Sequence, residues 1–342
     1  MKYKIASIGH FSNSLDGQTI KTKIVTEELT NKYGSDSVRS FNISGGFFSK
    51  MSLIIKAPFV LKNATNIILF PAQKALQLLC PLLTFWNKMF HKTIHYCVIG
   101  GWLPSFIERK KWLLKYLKKI NFIYVETSTM KFLLEKMGLS NIIIMPNCKN
   151  LKILNKEELM TTHNAPYKLC VFSRVTKKKG IEFAIDAVTS ANNCFKTNIY
   201  SLDIYGQIDS DDVKWFNTLS SSFPDFVCYK GIVSYDQTTD VLQKYFALLF
   251  PTLFFTEGIP GTVIDAYAAG LPVIASKWQS FDDVIQNGIT GLSFDFNDKQ
   301  QLIDLLIKIA NDPSIIDSLR ENCLLSAMHY KPDVAIKSLI LE

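Results

Sequence analysis

Two carboxylates, Glu257 and Asp265, stand eight positions apart in the stretch FFTEGIPGTVIDAYAAGLPVIAS, residues 254–276. An acid, a tight turn, a second acid and an apolar run make an unusual packing segment. After the first acid, Gly258, Ile259, Pro260 and Gly261 read as a turn that opens a helix from about Thr262 to Ala269, with Gly270 as its stop. A carboxylate at a helix N-terminus is favoured by the helix dipole, and its oxygens accept hydrogen bonds from hydroxyls. The bland explanations are a helix-capping acid for Glu257 and a solvated helix position for Asp265.

A second group of chemically capable residues lies in FSRVTKKKGIEFAIDAV. Arg174 ends a strand, Lys179 follows five residues on, and Gly180 leads into an amphipathic helix. A fixed guanidinium beside an ammonium suits a diphosphate, which needs two or more cationic donors. A solvated basic turn accounts equally well for Lys177 and Lys178. Two weaker signals follow other strands. In GHFSNSLDGQTIKTK, the residues Gly9, Ser12, Asn13, Ser14 and Gly17 form a turn, and a helix begins near Gln18. Its first amides, at Gly17 and Gln18, can approach a phosphate. The stretch is neither a G-x-G-x-x-G loop nor a P-loop. In DIYGQIDSDD, Gly206 ends a strand where a base or ribose can come near the backbone.

These residues need elements to hold them. Twelve short β-rich runs recur along the chain: YKIASIG, VRSFNI, NIILF, IHYCVI, FIYVE and NIIIMP, then KLCVFSR, NIYSLDIYG, FVCYKG, FALLFP, PVIAS and GLSFDF. Many are continuously apolar, as strands buried on both faces of a parallel sheet must be. Helical segments between them imply right-handed β-α-β units, and six plus six strands imply two doubly wound α/β domains. The polar stretch NKEELMTTHNAPYK, residues 155–168, marks the join. The expected division is 1–160 for the first domain, 161–325 for the second, and a C-terminal helix over 326–342 that returns to the first. In such sheets ligands bind beyond the carboxyl ends of the strands, where the four stretches above fall.

Composition narrows the class. The chain has 342 residues, 48% hydrophobic and 20% charged, which fits two compact domains and excludes a disordered or fibrous protein. Its seven cysteines are scattered and never spaced C-x-x-C, so reduced thiols in a cytoplasmic protein are expected rather than a disulfide frame or a zinc site. The first residues read as a strand, not a signal peptide. The apolar region from Ile67 to Trp86 is interrupted by Pro71, Gln73, Lys74, Gln77 and Pro81, and no transmembrane helix is expected. Charge is uneven. Residues 1–165 carry 23 Lys and Arg against 9 Asp and Glu, a net of +14, and the rest carry 15 against 21, a net of −6. The first half therefore suits an anionic partner.

Taken together, SRVTKKKG, YGQ and TEGIPGTVIDAYAAGLPVIAS resemble the donor half of retaining glycosyltransferases of family 4, which have the GT-B fold. The resemblance is specific over about residues 168–295. SNSLDGQTIKTK and VIGGWLPSF are similar to stretches of bacterial capsule and surface-polysaccharide members. Glu257 and Asp265 match the spacing of that family's E-x7-E motif, with Asp in place of the second Glu.

The resemblance implies two Rossmann-like domains facing a cleft, a nucleotide-sugar donor, a UDP-sugar by preference, and a saccharide or polyprenyl-diphosphate-linked acceptor. It implies that Arg174 and Lys179 bind the diphosphate and stabilise the leaving group. Glu257 would contact hydroxyls of the transferred sugar, with amides of Gly258, Ile259 and Gly261 around Pro260 near the sugar or phosphate. Asp265 would contact the ribose, its shorter side chain leaving a direct or a water-bridged contact open. Gly17 would lie over the diphosphate. Fixed cations make a catalytic metal unnecessary, and none is expected; Asp209 and Asp211 read as a solvated turn. No cofactor is implied.

The segment ERKKWLLKYLKKINF places Lys110, Lys111, Lys115, Lys118 and Lys119 opposite Trp112, Leu113, Leu114, Leu117 and Ile120, if helical. This reads as a domain helix with a solvated face or as a contact with an anionic membrane, which would place the protein peripherally at the inner face of the cell membrane. No nucleic-acid module accompanies the charge, so no nucleic-acid partner is expected. His10 follows the first strand, and His95 lies within one. Two competing readings are a GT-B sugar-nucleotide epimerase and a catalytically weak nucleotide-sugar-binding partner of another transferase.

Overall fold

The computed structural model describes residues 2–12, 17–43, 56–160 and 163–341. Asn13 and Ser14 of the first loop therefore lie outside the described residues.

The chain forms two units. The first comprises Met1–Asn150, Gly258–Gly261 and Tyr330–Glu342, and the second comprises Leu151–Glu257 and Thr262–His329. All twelve runs are strands, six to each unit, and every pairing is parallel.

In the first unit the strands are β1 (Tyr3–Gly9), β2 (Val38–Asn42), β3 (Ala64–Leu69), β4 (Thr93–Cys97), β5 (Phe122–Val125) and β6 (Ile142–Ile144), ordered β2-β1-β3-β4-β5-β6. β4 is buried along its whole length, as an inner strand of a parallel sheet covered on both faces must be. Helix α1 (Gly17–Tyr33) follows β1, and Gln18 at its start donates to Phe70 O beyond β3 at 2.9 Å. Helix α2 (Gln73–Phe90) buries Leu76, Leu79, Cys80 and Leu83 and leaves Phe85 and Met89 exposed. Among the described residues no helix is long and apolar enough to cross a membrane.

The second unit holds β7 (Tyr167–Phe172), β8 (Tyr200–Tyr205), β9 (Val227–Gly231), β10 (Ala247–Phe250), β11 (Val273–Ser276) and β12 (Gly291–Phe294). Their order, β9-β8-β7-β10-β11-β12, reverses direction between β7 and β10. That is the topological switch point of a doubly wound sheet, where the loops after two adjacent strands diverge and leave room for a ligand. Helix α3 (Ile181–Phe195) follows β7 and helix α4 (Gly261–Ala268) follows β10.

Two boundaries differ from the sequence-based division. Residues 151–160 go with the second unit, because their polar groups are satisfied there. Leu154 N–H donates to Ala268 O at 3.0 Å, Thr239 Oγ1 to Lys152 O at 2.8 Å, and Lys152 Nζ lies 2.7 Å from Asp240. At the other end, Ala335 and Ile336 pack into the first unit's core with Ile5, Ile24 and Tyr124. Among the described residues of the expected C-terminal helix, 326–342, the end of the helix Arg320–Ala327 is followed by short turns, Met328–Tyr330, Pro332–Ala335 and Ile336–Ser338.

The basic segment also departs from its expected form. It is not one amphipathic helix but three pieces, Leu103–Arg109, Lys111–Leu113 and Leu114–Leu117, broken at Lys110, whose φ of −131° and ψ of 52° are not helical. Leu113, Leu117 and Ile120 are buried all the same, while Lys110, Lys111, Lys115, Lys118, Lys119 and Trp112 are exposed.

Candidate active site

The loops after β7 and β10 are locked together at the switch point. Leu253 N–H donates to Lys178 O at 2.9 Å, and Thr262 Oγ1 donates to Phe172 O. Gly180, at φ +70°, is the N-cap of α3, and a Cβ there would lie 1.9 Å from Pro251 O. Only glycine allows that approach and that backbone. The Lys-Lys-Lys-Gly of the first loop is thus fitted to the Phe-Pro-Thr that ends β10.

This fit brings Lys179 and Glu257 into contact. Lys179 Nζ forms an ion pair with Glu257 Oε1, and the two side chains are only 18% and 11% exposed. Thr252 Oγ1 donates to the same oxygen at 3.3 Å, and its residue is wholly buried. Lys179 Nζ also stands 5.1 Å from the centre of the Phe250 ring, where cation–π attraction favours it. Glu257 is therefore not a helix-capping acid: its charge meets an ammonium and a hydroxyl, four residues before α4 begins. The arrangement offers one cation and one carboxylate side by side at a strand-end loop, able to serve an anion and a hydroxyl-bearing group of one ligand.

Arg174 lies further out. It is exposed, and its Nη1 is 3.4 Å from Asp209 Oδ2. Asp209 Oδ1 accepts from Asp211 N–H at 3.2 Å, so these acids serve the turn after β8. Gly206 also has a structural requirement of its own. At φ +131°, its added Cβ would fall 1.8 Å from Ser173 O. The position is glycine because the loop after β7 crosses it, which the protein's own backbone requires.

Asp265 lies on α4 and is only 7% exposed. It is not a solvated helix position. Of the turn 258–261, the Ile259 N–H is already engaged by Glu126 Oε2 at 3.0 Å, and Pro260 has no N–H to offer. Gly17 is the first residue of α1, and apart from its chain neighbours and its own helix backbone no described atom lies within 4 Å of a Cβ built there. His10 is half-buried, at the end of β1. His95 is fully packed: Nε2 lies 3.0 Å from Asn66 Oδ1 and Nδ1 lies 3.2 Å from Tyr124 Oη. Burial pushes its pKa down to about 4.

Three residues escaped the sequence reading. Thr252 was signalled only by its place after FALLFP. Glu126 closes the apolar run FIYVE, and an acid ending a buried strand is a usable signal. Lys21 gives none, since it reads as one of many lysines on a surface helix. Among the described residues, no group of three or more His, Cys, Asp or Glu side chains is placed to hold a metal ion.

The span holding Lys179, Thr252, Glu257 and Asp265 matches the family described as glycosyl transferases group 1, over residues 155–324. The group 1 segment is about half of the chain. Among curated proteins, the chain is 25% identical over 185 residues to the amylovoran biosynthesis glycosyltransferase AmsK of Erwinia amylovora, a match covering 52% of this chain and 42% of that protein. It is 27% identical over 184 residues to the alpha-monoglucosyldiacylglycerol synthase of Acholeplasma laidlawii, covering 51% of this chain and 42% of that protein. The chain thus spans less than half the length of these curated relatives. Among solved structures, Anabaena Alr3699/HepE in complex with UDP and glucose superposes with a TM-score of 0.76 at 12% identity, covering 98% of this chain and 97% of that one. The likeness covers both units, and the fold is GT-B.

Proposed function

We propose that the protein is a retaining glycosyltransferase that moves a sugar from a UDP-sugar to a saccharide or polyprenyl-diphosphate-linked acceptor in bacterial surface polysaccharide synthesis. The observation that carries this reading is the Lys179–Glu257 pair at the β7/β10 switch point of a group 1 segment. The UDP and glucose bound to HepE and the amylovoran pathway of AmsK support the donor and the polymer.

In this reading the acceptor oxygen bonds to the sugar's anomeric carbon as the bond to the diphosphate oxygen breaks. The bonding electrons leave with the nucleoside diphosphate, and the acceptor proton passes to a departing phosphate oxygen. Acceptor and leaving group share one face, so configuration is retained. Negative charge grows on the diphosphate while the sugar gains oxocarbenium character. Lys179 meets the first, with Arg174 reaching in from solvent once a stronger anion than Asp209 is present. Glu257 accepts hydrogen bonds from sugar hydroxyls, and Asp265 serves the ribose. Positive charge for the leaving group comes from Lys179 and Arg174, so turnover should survive EDTA.

The acceptor side is read from the first unit. α2 packs beside Lys111–Leu117, so exposed Phe85, Met89 and Trp112 accompany Lys88, Lys110 and Lys111. Exposed apolar side chains and lysines on these two neighbouring elements suit an anionic membrane surface and an acceptor carried on a lipid diphosphate. The protein would then work peripherally at the inner face of the membrane.

The test is nucleotide release from UDP-, GDP- and ADP-sugars by the purified chain, with membrane lipid extract supplied. UDP-sugar turnover is expected. Glu257→Ala should lower kcat by about 10²–10³, the usual loss when one transition-state contact is removed. Release from no donor, or full turnover by the Glu257 variant, sinks the proposal.

A further inference from the structure

Among the described residues of the first unit, Glu126 is the most deeply buried acid. Its side chain and that of Lys21 are each 1% exposed, and Lys21 Nζ donates to its Oε1 at 2.9 Å. Its second oxygen, Oε2, accepts the Ile259 N–H at 3.0 Å. The other side of that residue is held as well, for Asn147 Nδ2 donates to Ile259 O at 2.9 Å. Asn147 is itself fixed, its Oδ1 accepting from Cys148 N–H at 3.0 Å. The Ile259 side chain is buried, and a Cβ on Gly258 would lie 2.3 Å from Glu126 Oε2 and 2.8 Å from Gly100 Cα. All these residues belong to the first unit, which includes Gly258–Gly261.

A buried ion pair adds little stability over an apolar pair of the same shape, because desolvation offsets the Coulomb attraction. Its merit is direction. Here Lys21 neutralises Glu126 on one oxygen and leaves the other aimed at a single backbone amide. Asn147 grips the carbonyl of the same residue, so Ile259 has both backbone hydrogen-bonding groups held by side chains. The residue fixed in this way stands two positions after Glu257.

We propose that Glu126 is a positioning residue of the transfer reaction. With Lys21 as counter-charge and Asn147 as second grip, it sets the orientation of the turn that follows Glu257. The role rests on the reading of Glu257 as the clamp on the donor sugar.

Removing Glu126 alone strands a buried lysine and risks the fold, so the comparison uses two double variants of the full chain. Lys21→Met with Glu126→Gln removes both charges but keeps an oxygen for the Ile259 N–H. Lys21→Met with Glu126→Leu removes the charges and the acceptor together. UDP is the binding probe, and release of UDP from UDP-glucose and UDP-galactose, with lipid extract, is the activity readout. Hydrogen exchange of peptides covering residues 254–266, followed by mass spectrometry, reports the turn independently of turnover.

The Leu variant should show kcat at least tenfold below the Gln variant and faster exchange in those peptides, with UDP affinity the same within twofold. Equal kcat in the two variants overturns the positioning role, as does unchanged exchange. A loss confined to UDP affinity overturns it too. A wild-type chain that releases nucleotide from none of the UDP-, GDP- and ADP-sugars overturns the functional reading and this role with it. That outcome is told apart by the wild type itself being silent.

Discussion

Asp265 shows how burial changes what a single residue can tolerate. Its position in the E-x7-E spacing invites replacement by Glu, and a solvent-facing helix site would accept the extra methylene freely. The observed site is buried on α4, where overpacking costs about 1–3 kcal/mol. Asp265→Glu should therefore lower Tm by several degrees, measured by calorimetry, even if ribose contact improves; an unchanged Tm would show that the site has spare room. Gly180→Ala is expected to be worse. Its Cβ would meet Pro251 O and its φ of +70° disfavours any side chain, so a loss of more than about 1 kcal/mol should appear in urea unfolding. Lys179, Arg174 and Glu257 could be picked out from residue type and strand-end position. That Lys179 and Glu257 pair with each other could not, because the contact spans 78 residues and depends on strand order.

At the scale of elements, all twelve strands were legible: β10 and β11 as apolar runs buried on both faces, and the half-exposed β2 and β9 as short β-rich runs between helical segments. Helices whose burial is less regular were not. The lysine-rich segment keeps helical spacing on paper, yet Lys110 breaks it into single turns so that Leu113, Leu117 and Ile120 all reach the core. Strand β4 carries a pH dependence of its own. Asn66 Oδ1 accepts from His95 Nε2–H, so Nδ1 is the acceptor for the Tyr124 hydroxyl, whose oxygen in turn accepts from Ile340 N–H at 3.1 Å. His95 titrates at about 4 in the folded chain and near 6.5 when unfolded. Between those values the unfolded state binds the extra proton, so stability falls as pH drops from 6.5 to 4. The loss from pH 7.5 to 5 should be about 2 kcal/mol from this residue. Comparing urea midpoints of the wild type and His95→Gln at the two pH values checks it: the variant's pH slope should be shallower by that amount.

For the whole molecule, charge asymmetry was plain in the sequence, whereas the exposed apolar residues that accompany it were not. Phe85 and Met89 sit in a helix whose other face is core, and composition does not say which face is which. If the patch meets anionic lipid, each lysine contributes about 1 kcal/mol near the surface. Reversing Lys110, Lys111, Lys118 and Lys119 to Glu should then weaken sedimentation with phosphatidylglycerol vesicles by at least 100-fold, while UDP binding stays within twofold. Equal sedimentation would remove the membrane from the reading. Binding of the wild type should also fall as salt rises, since exposed charges are screened beyond about 10 Å at 0.1 M.

The chain's membership of its units bears on how it can be taken apart. The first unit is assembled from three separate stretches, and two of them come after the second unit's first strand. A fragment ending at Asn150 would lack the Ile259 amide that occupies Glu126 and the Ile340 amide that reaches Tyr124. It would also expose the core face covered by Ala335 and Ile336. Expressed alone, it should aggregate or bind the dye ANS. Joining residues 330–342 to it should recover part of the lost cooperativity. Exchanging donor halves with a relative would accordingly need matched junctions at four places, and a swap at the single obvious linker would carry over the wrong turn.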